Sequence, residues 1–241
     1  MSLTDKRILV IGGGSGIGFA VAEAAADAGA QVTIASSSAD KVAAAASRIG
    51  NRTVGAKLDV TREDEVAAFF NVQTFDHIAF TAGDWGGPRR APLAELDLAK
   101  AMSVFDVRFW GAVKVAKHAA KTMPAGGSLT LTDGMIAHRP QKGSAISTAM
   151  TGAVEHLTRA LAVEFAPVRV NAVCPGLIRT GIWDRIPEDR REKELGDMTS
   201  RQLIARVGEP NEVAEAYLYL MRGGYTTGQV LYVEGGRALT G

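Results

Sequence analysis

The sequence has only one cysteine, Cys174, in 241 residues, so no disulfide can form within the chain. Sparse cysteine is typical of proteins of the reducing cytosol, and we expect a cytoplasmic protein. The sequence also lacks a charge surplus, because 27 lysines and arginines against 26 aspartates and glutamates leave a net charge of +1. A protein that neutralises nucleic-acid phosphates needs a basic surplus, so we expect no nucleic-acid partner.

Long hydrophobic runs are missing as well. The early apolar run at residues 8–11 has the length of a strand, far short of the ~20 residues that cross a membrane. We therefore expect neither a membrane span nor a signal peptide. His77 and His118 are expected at the surface, and they and the scattered carboxylates show no metal-ligand spacing. The sequence thus predicts no metal site.

Glycine, in contrast, is plentiful, with 27 residues against a typical ~7% of a chain. Apolar runs of strand length alternate with helical patterns along the whole chain, including long helices over 96–123 and 143–165. Such alternation predicts a parallel sheet covered by helices on both faces. We predict an α/β fold: a single doubly wound Rossmann-fold domain over 1–241 with seven parallel strands. The seven predicted strands are 8–11, 32–35, 54–58, 75–80, 128–131, 168–173 and 229–233.

A glycine-rich loop, residues 12–18, joins the first predicted strand to the first predicted helix. A pyrophosphate binds backbone N–H groups at a helix N-terminus, and Cβ atoms would block its approach. The strand–loop–helix setting therefore predicts dinucleotide binding, with a tight structural turn as the alternative. The residues expected to contact the dinucleotide here are Gly12, Gly14, Ser15, Gly16, Ile17 and Gly18.

The end of the second predicted strand bears on which dinucleotide binds. An acidic residue there would bind the ribose 2′-hydroxyl of NAD, but this chain has Ser36, Ser37 and Ser38 and no carboxylate before Asp40. Three hydroxyls can donate to a 2′-phosphate, so NADP is favoured and NAD is the less favoured alternative. The serines could instead simply cap the next helix.

Taken together, the motifs resemble the short-chain dehydrogenase/reductase family nearly from end to end. Residues 11–18 resemble its TGxxxGxG motif with Ile11 for Thr, and Thr81-Ala82-Gly83 stands where the family has NNAG. Residues 169–180 match its RVNAVxPGxIxT segment, and 208–214, 227–229 and 234–236 resemble its C-terminal signature. The resemblance implies further cofactor contacts at Asp59, Val60, Ala82, Gly83, Pro175, Gly176, Ile178 and Thr180.

The same resemblance implies that the family's four catalytic residues are replaced. The Tyr-x-x-x-Lys pair aligns with Ile146 and Met150, and the Asn aligns with Arg108. The Ser aligns with Asp133 or Gly134. All four tyrosines lie in the last 25 residues, so we expect none at the usual position on the helix.

Other residues could supply the missing chemistry. Asp133 follows the fifth predicted strand, and an apolar setting would raise the pKa of its carboxyl, which suits a general acid. We predict a charge pair of Arg108 with Asp133, whose alternative role is purely structural. His138, in the loop that follows, could face the substrate or be solvated. Asp84, Arg89 and Arg90 could bind an anionic substrate or belong to a solvated loop.

The resemblance also implies a substrate lid at about 181–207, in which Trp183 and Met198 could close over an apolar ligand. The two long helices resemble those that pair in family dimers, so we expect a homodimer or homotetramer. Three functions remain open for a small-molecule substrate. The first is an atypical NADP(H)-dependent oxidoreductase acting on a carbonyl or alcohol. The others are a catalytically inactive dinucleotide-binding protein, such as a sensor or partner subunit, and a non-redox enzyme using the same pocket.

Overall fold

The computed structural model describes residues 2–50, 52–83 and 91–240. It contains a seven-stranded sheet in the order β3-β2-β1-β4-β5-β6-β7, in which every neighbouring pair is parallel. The predicted doubly wound α/β fold is thereby confirmed. The strands are β1 Arg7–Ile11, β2 Gln31–Ser36, β3 Thr53–Lys57, β4 His77–Phe80, β5 Ser128–Thr132, β6 Arg169–Pro175 and β7 Val230–Val233. The α-helices are α1 Gly16–Asp27, α2 Ala39–Ile49, α3 Glu63–Val72, α4 Leu98–Phe105, α5 Ala112–Ala119, α6 Ala145–Glu164, α7 Glu188–Thr199 and α8 Pro210–Arg222.

The core has two layers because side chains alternate across the parallel sheet. On β1, Ile8 and Val10 belong to the cluster that α1, α2 and α8 cover, whereas Leu9 and Ile11 belong to the cluster under α3, α5 and α6. All four side chains are buried. Among the described residues, no helix has both the length and the apolar character that crossing a membrane requires.

The predicted long helix at 96–123 is in fact interrupted. Between α4 and α5, residues Asp106–Gly111 form a π-helical turn. This wider turn sits over Val60, where a Cβ on Gly111 would lie 2.8 Å from Val60 Cγ2. Such π-turns occur frequently at functional sites because they redirect a side chain within a helix. Here the redirected side chains include Arg108.

The segment in which the lid is expected contains regular structure. Residues Gly181–Arg185 form a 3₁₀ turn, and α7 follows it. Trp183 is buried against Leu195 and Val207, and its indole nitrogen donates to the Ile178 carbonyl at 2.8 Å. Trp183 therefore holds this segment together, while Met198 is exposed.

His77 lies inside the protein and not at the surface as expected. It is 4% exposed at the start of β4, with Nδ1 2.9 Å from the Ser128 hydroxyl. Burial lowers the pKa of this imidazole to about 4, and the nearby Arg169 charge adds to the effect. The unfolded chain binds this proton more readily than the folded one, so the contribution of His77 to stability is present above pH 6.5 and is lost as the pH falls toward 4.

We predict that the free energy of unfolding of the wild type falls by up to about 3 kcal/mol relative to His77→Gln between pH 6.5 and 4. Glutamine retains a hydrogen-bonding group beside Ser128 but does not titrate. Urea denaturation at several pH values measures the difference. The control is His156→Gln, because His156 is exposed on α6 and its loss should leave the pH dependence unchanged. Parallel curves for the wild type and His77→Gln would contradict the assignment.

Candidate active site

The glycine loop packs tightly against the segment that follows β4. A Cβ on Gly12, whose φ is +92°, would lie 2.6 Å from the Ala82 nitrogen, and one on Gly18 would lie 2.3 Å from the Gly12 oxygen. The Thr81 hydroxyl donates to the Ile11 carbonyl at 2.9 Å and fixes this approach. Ser15 precedes α1 without a side-chain capping bond, so it leaves the first N–H groups of the helix to another acceptor.

The segment after β6 meets the same loop from the other side. A Cβ on Gly16 would lie 3.2 Å from Thr180 Cγ2, while Pro175 ends β6. Gly176 passes so close to Glu234 that a Cβ there would lie 2.7 Å from Glu234 Cα. A cavity of about 780 Å³ opens beside this junction and is lined by Ser15, Gly16, Arg179, Thr180 and Trp183 among others.

Asp59 and Val60 follow β3 and make different contacts. The Asp59 carboxylate accepts hydrogen bonds from the Thr61 hydroxyl at 2.7 Å and the Thr61 backbone nitrogen at 2.9 Å, which lower its pKa. Asp59 thus orders the loop between β3 and α3. Val60 is buried under Gly111 of the π-turn, so its side chain packs in the protein core.

The three serines after β2 differ in their contacts. The Ser38 hydroxyl accepts from the Lys41 nitrogen and caps α2, and the Ser36 hydroxyl donates to the Ser38 carbonyl at 3.2 Å. The capping alternative therefore describes Ser38, while Ser37 is exposed. Two cations that sequence reasoning missed lie nearby. Lys41 Cβ is 3.5 Å from where a Gly14 Cβ would be, and Lys57 pairs in register with Ser36.

Arg108 is a buried cation at the carboxyl edge of the sheet. It is 6% exposed, and its Nη1 donates to the backbone carbonyl of Asp133 at 3.2 Å. Its guanidinium lies against Gly83, where a Cβ would come within 2.5 Å of Nη2. Arg108 thus contacts the main chain of Asp133, and its charge pair with the Asp133 carboxyl stays a prediction. Burial lowers the pKa of Arg108, yet arginine stays protonated in proteins.

Asp133 places a buried carboxyl within the electrostatic influence of this guanidinium, and among the described residues its oxygens make no hydrogen bond of normal geometry. The residue is 1% exposed, and both carboxylate oxygens are buried. Burial raises the pKa of Asp133 to about 8, and the neighbouring carboxylate of Glu155 adds to the rise. The Asp133 carboxyl therefore carries a proton at neutral pH, as a general acid requires.

His138 is half-buried in a cluster that sequence reasoning did not foresee. Its Nε2 lies 2.6 Å from Glu155 Oε1, 3.6 Å from Asp133 Oδ2 and 3.1 Å from the Tyr232 hydroxyl. Cys174, on β6, completes the group: one donor atom each from Asp133, His138 and Cys174 lie within 4.8 Å of one another. A carboxylate amid the apolar face of α6 was the one available signal for Glu155.

The start of α6 carries Ile146 and Met150, which we expect to stand at the positions of the family tyrosine and lysine. Met150 is 8% exposed and belongs to the core, while Ile146 is partly exposed. Thr151, one residue on, packs near Gly134. The proposed anion-binding residues Asp84, Arg89 and Arg90 lie outside the described residues.

Comparison with known proteins decides the family. A family profile described as enoyl-(acyl carrier protein) reductase matches residues 12–238. The chain belongs to the short-chain dehydrogenase/reductase family. A short-chain dehydrogenase/reductase of an Acremonium species is 35% identical, covering 97% of this chain and 96% of its own. The cis-4-hydroxycyclohexanecarboxylate dehydrogenase of Sinomonas cyclohexanicum is 34% identical over 98% of this chain and 97% of its own.

Solved structures agree with this assignment. The MalC Reductase/Diels-Alderase from Malbranchea aurantiaca superposes with a TM-score of 0.91 at 34% identity, covering 98% of both chains. A small-chain dehydrogenase in complex with NADPH superposes with a TM-score of 0.80 at 32% identity, covering 98% of this chain and 99% of its own. The chain is thus a short-chain oxidoreductase by family, a family that binds NAD(P) and acts on small molecules.

We predict that Gly12→Ala loses at least about 2 kcal/mol of stability, because the positive φ and the contact with the Ala82 backbone both resist a side chain. Gly14→Ala is the matched control, since its nearest neighbour would be the Lys41 side chain at 3.5 Å. Urea denaturation compares the two variants with the wild type. Equal stability of both variants would refute the described contact between the loop and Ala82.

Proposed function

We propose that this chain is an NADP(H)-dependent oxidoreductase for a small carbonyl or alcohol, with an active site formed by Arg108 and Asp133. The observation that carries the proposal is the burial of the Arg108 guanidinium and the Asp133 carboxyl at the carboxyl edge of the sheet, where Arg108 donates to the main chain of Asp133. Ligands bind at this edge in doubly wound folds.

A dinucleotide fits the residues at this edge. Gly12 and Gly18 allow the loop to approach Ala82, and the α1 N-terminus has N–H groups to offer to a pyrophosphate. When bound, the nicotinamide would supply or accept the hydride. The residues that we propose to hold the dinucleotide are Gly12, Gly14, Ser15, Gly16, Ile17, Gly18, Ser36, Ser37, Ser38, Asp59, Val60, Ala82, Gly83, Pro175, Gly176, Ile178 and Thr180.

The preference for NADP over NAD rests on charge. Ser37 is exposed at the end of β2, where NAD-binding proteins place a carboxylate. Lys57 pairs in register with Ser36, and Lys41 lies in the first turn of α2, beside the glycine loop. These groups attract a 2′-phosphate. The NADPH complex of a 32% identical relative supports the same choice.

Arg108 and Asp133 would have different roles in the reaction. In the reducing direction, Asp133 gives its proton to the carbonyl oxygen as that oxygen gains charge, and Arg108 stabilises the charge by electrostatic attraction. Ile146 and Met150 keep the neighbouring surface apolar. His138 and Glu155 lie behind Asp133, away from the Arg108 contact with its main chain, so Asp133 connects the two halves of the site.

We predict that Lys41→Gln weakens NADPH binding up to about 5-fold, the value of one exposed charge contact of about 1 kcal/mol, and leaves NADH binding nearly unchanged. Fluorescence titration of both nucleotides measures the two affinities. Lys100→Gln on α4 is the control. Equal losses for NADPH and NADH would contradict recognition of the 2′-phosphate by Lys41.

We predict that Asp133→Asn lowers the rate of carbonyl reduction by a factor of about 100 to 10,000, the usual contribution of a positioned acid. NADPH binding should persist, since asparagine has nearly the same volume. A panel of carbonyl compounds with NADPH as reductant measures turnover, and His156→Gln serves as the control. Undiminished turnover in Asp133→Asn would exclude Asp133 as the proton donor.

A non-redox reaction in the same pocket is the second candidate. One observation favours it: a 34% identical structure with a TM-score of 0.91 is that of a Reductase/Diels-Alderase. An apolar pocket that binds dinucleotide beside Asp133 could orient a substrate without transferring hydride to it. A catalytically inactive dinucleotide-binding protein is the remaining alternative, and it predicts tight NADPH binding without any product.

We also propose a lid, an oligomeric state and a cellular location for this protein. Residues 181–207 act as a substrate lid, with Trp183 as its buried anchor and ion pairs between Arg179 and Glu192 across its base. The chain forms a homodimer or homotetramer, supported by the exposed apolar side chains Leu98, Met102 and Trp110 between the start of α4 and the end of the π-turn. It acts in the cytoplasm.

A further inference from the structure

Among the described residues, neither oxygen of the buried Asp133 carboxyl makes a hydrogen bond of normal geometry, and its polar neighbours are the Gly134 backbone N–H, the Glu155 carboxyl and the Cys174 thiol. A polar group satisfied so weakly requires an explanation, of which an absent ion is one. Its side chain is fully buried. A carboxylate buried beside the Glu155 carboxylate would be costly even with Arg108 nearby, so a proton or a bound cation is needed to neutralise it. The residues around it indicate which cation would fit.

Donors from three separate segments converge on this carboxyl. Asp133 follows β5, His138 lies in the next turn and Cys174 belongs to β6. One ligand atom from each lies within 4.8 Å of the other two, and His138 Nε2 is 3.6 Å from Asp133 Oδ2. An ion placed among three such atoms needs only a small contraction to reach Zn–N and Zn–O bonds of ~2.0–2.2 Å and a Zn–S bond of ~2.3 Å.

We propose that Asp133, His138 and Cys174 form a binding site for a zinc-type divalent cation. The donor set is one thiolate, one imidazole and one carboxylate, which favours Zn²⁺ over the hard cations Mg²⁺ and Ca²⁺. Sequence spacing alone predicted no metal, because the three residues come together only in the folded sheet.

The surroundings suit a bound ion. Glu155 Oε1 lies 2.6 Å from His138 Nε2 and would give up this hydrogen bond when Nε2 coordinates the ion, and Arg159 lies 3.7 Å from the other Glu155 oxygen. Binding would replace protons on the Asp133 carboxyl and the Cys174 thiol, so the buried charge would remain balanced. His138 is partly exposed and offers the way in.

The site has a consequence that rests on the proposed function. A metal ion and a transferable proton cannot occupy Asp133 together, so a bound ion would inhibit reduction. Metal binding itself is independent of catalysis and can be measured on an inactive protein.

Titration of the metal-free protein with Co²⁺, a spectroscopic substitute for Zn²⁺, tests the proposal. We expect one Co²⁺ per chain and a thiolate-to-cobalt charge-transfer band. That band should be absent in Cys174→Ala and retained in His156→Gln. His138→Gln should weaken Co²⁺ and Zn²⁺ binding at least ~10-fold, the lower bound for changes that merely surround a metal site.

Circular dichroism verifies that each variant is folded, and if Cys174→Ala fails to fold, the loss of affinity in His138→Gln decides the question. Cobalt binding without a sulfur band, affinities in His138→Gln equal to those of the wild type, or no binding at all would overturn the proposal. Failure of the proposed reductase is recognised separately, as the absence of carbonyl reduction by metal-free protein that binds NADPH.

Discussion

The buried guanidinium of Arg108 determines how the carboxyl edge of the sheet is built. It joins the ends of two neighbouring strands, because it lies against Gly83 after β4 and donates to the main chain of Asp133 after β5. A charge in this position is tolerated only with polar partners around it. The π-turn delivers it there, and the glycines at 83 and 111 leave room for the turn and its arginine.

Arg108 holds the main chain of Asp133, so the Asp133 side chain can contact other groups. The carboxyl turns toward α6 and β6, where Glu155, His138 and Cys174 lie. Burial among these groups disfavours the carboxylate and keeps a proton on Asp133 at neutral pH. The same surroundings would suit a metal ion, so proton transfer and metal binding both depend on one physical feature: a carboxyl buried beside Glu155, His138 and Cys174.

The sequence predicted the fold well, because its strands are continuous apolar runs and its glycine loop stands between a strand and a helix. Gly12 and Gly18 have no space for a side chain, and this requirement is visible in the residue type itself. The π-turn around Arg108 could not be foreseen, since residues 106–111 show a helical pattern and the wider turn arises from packing on Val60. The sequence also failed to predict three members of the cluster around Asp133 and His138, because only the folded chain brings them there. They are Glu155, Cys174 and Tyr232. His77 was expected outside because a lone histidine gives no sign of the strand pairing that buries it.

The central claim is that hydride transfer occurs here without a tyrosine on α6. The most direct measurement is the consumption of NADPH by the metal-free wild-type protein with a panel of small carbonyl compounds, together with analysis of the products. The account predicts that at least one carbonyl is reduced with one alcohol formed per NADPH consumed. Tight NADPH binding with no alcohol formed from any compound would contradict the account and favour a non-redox role for the same pocket.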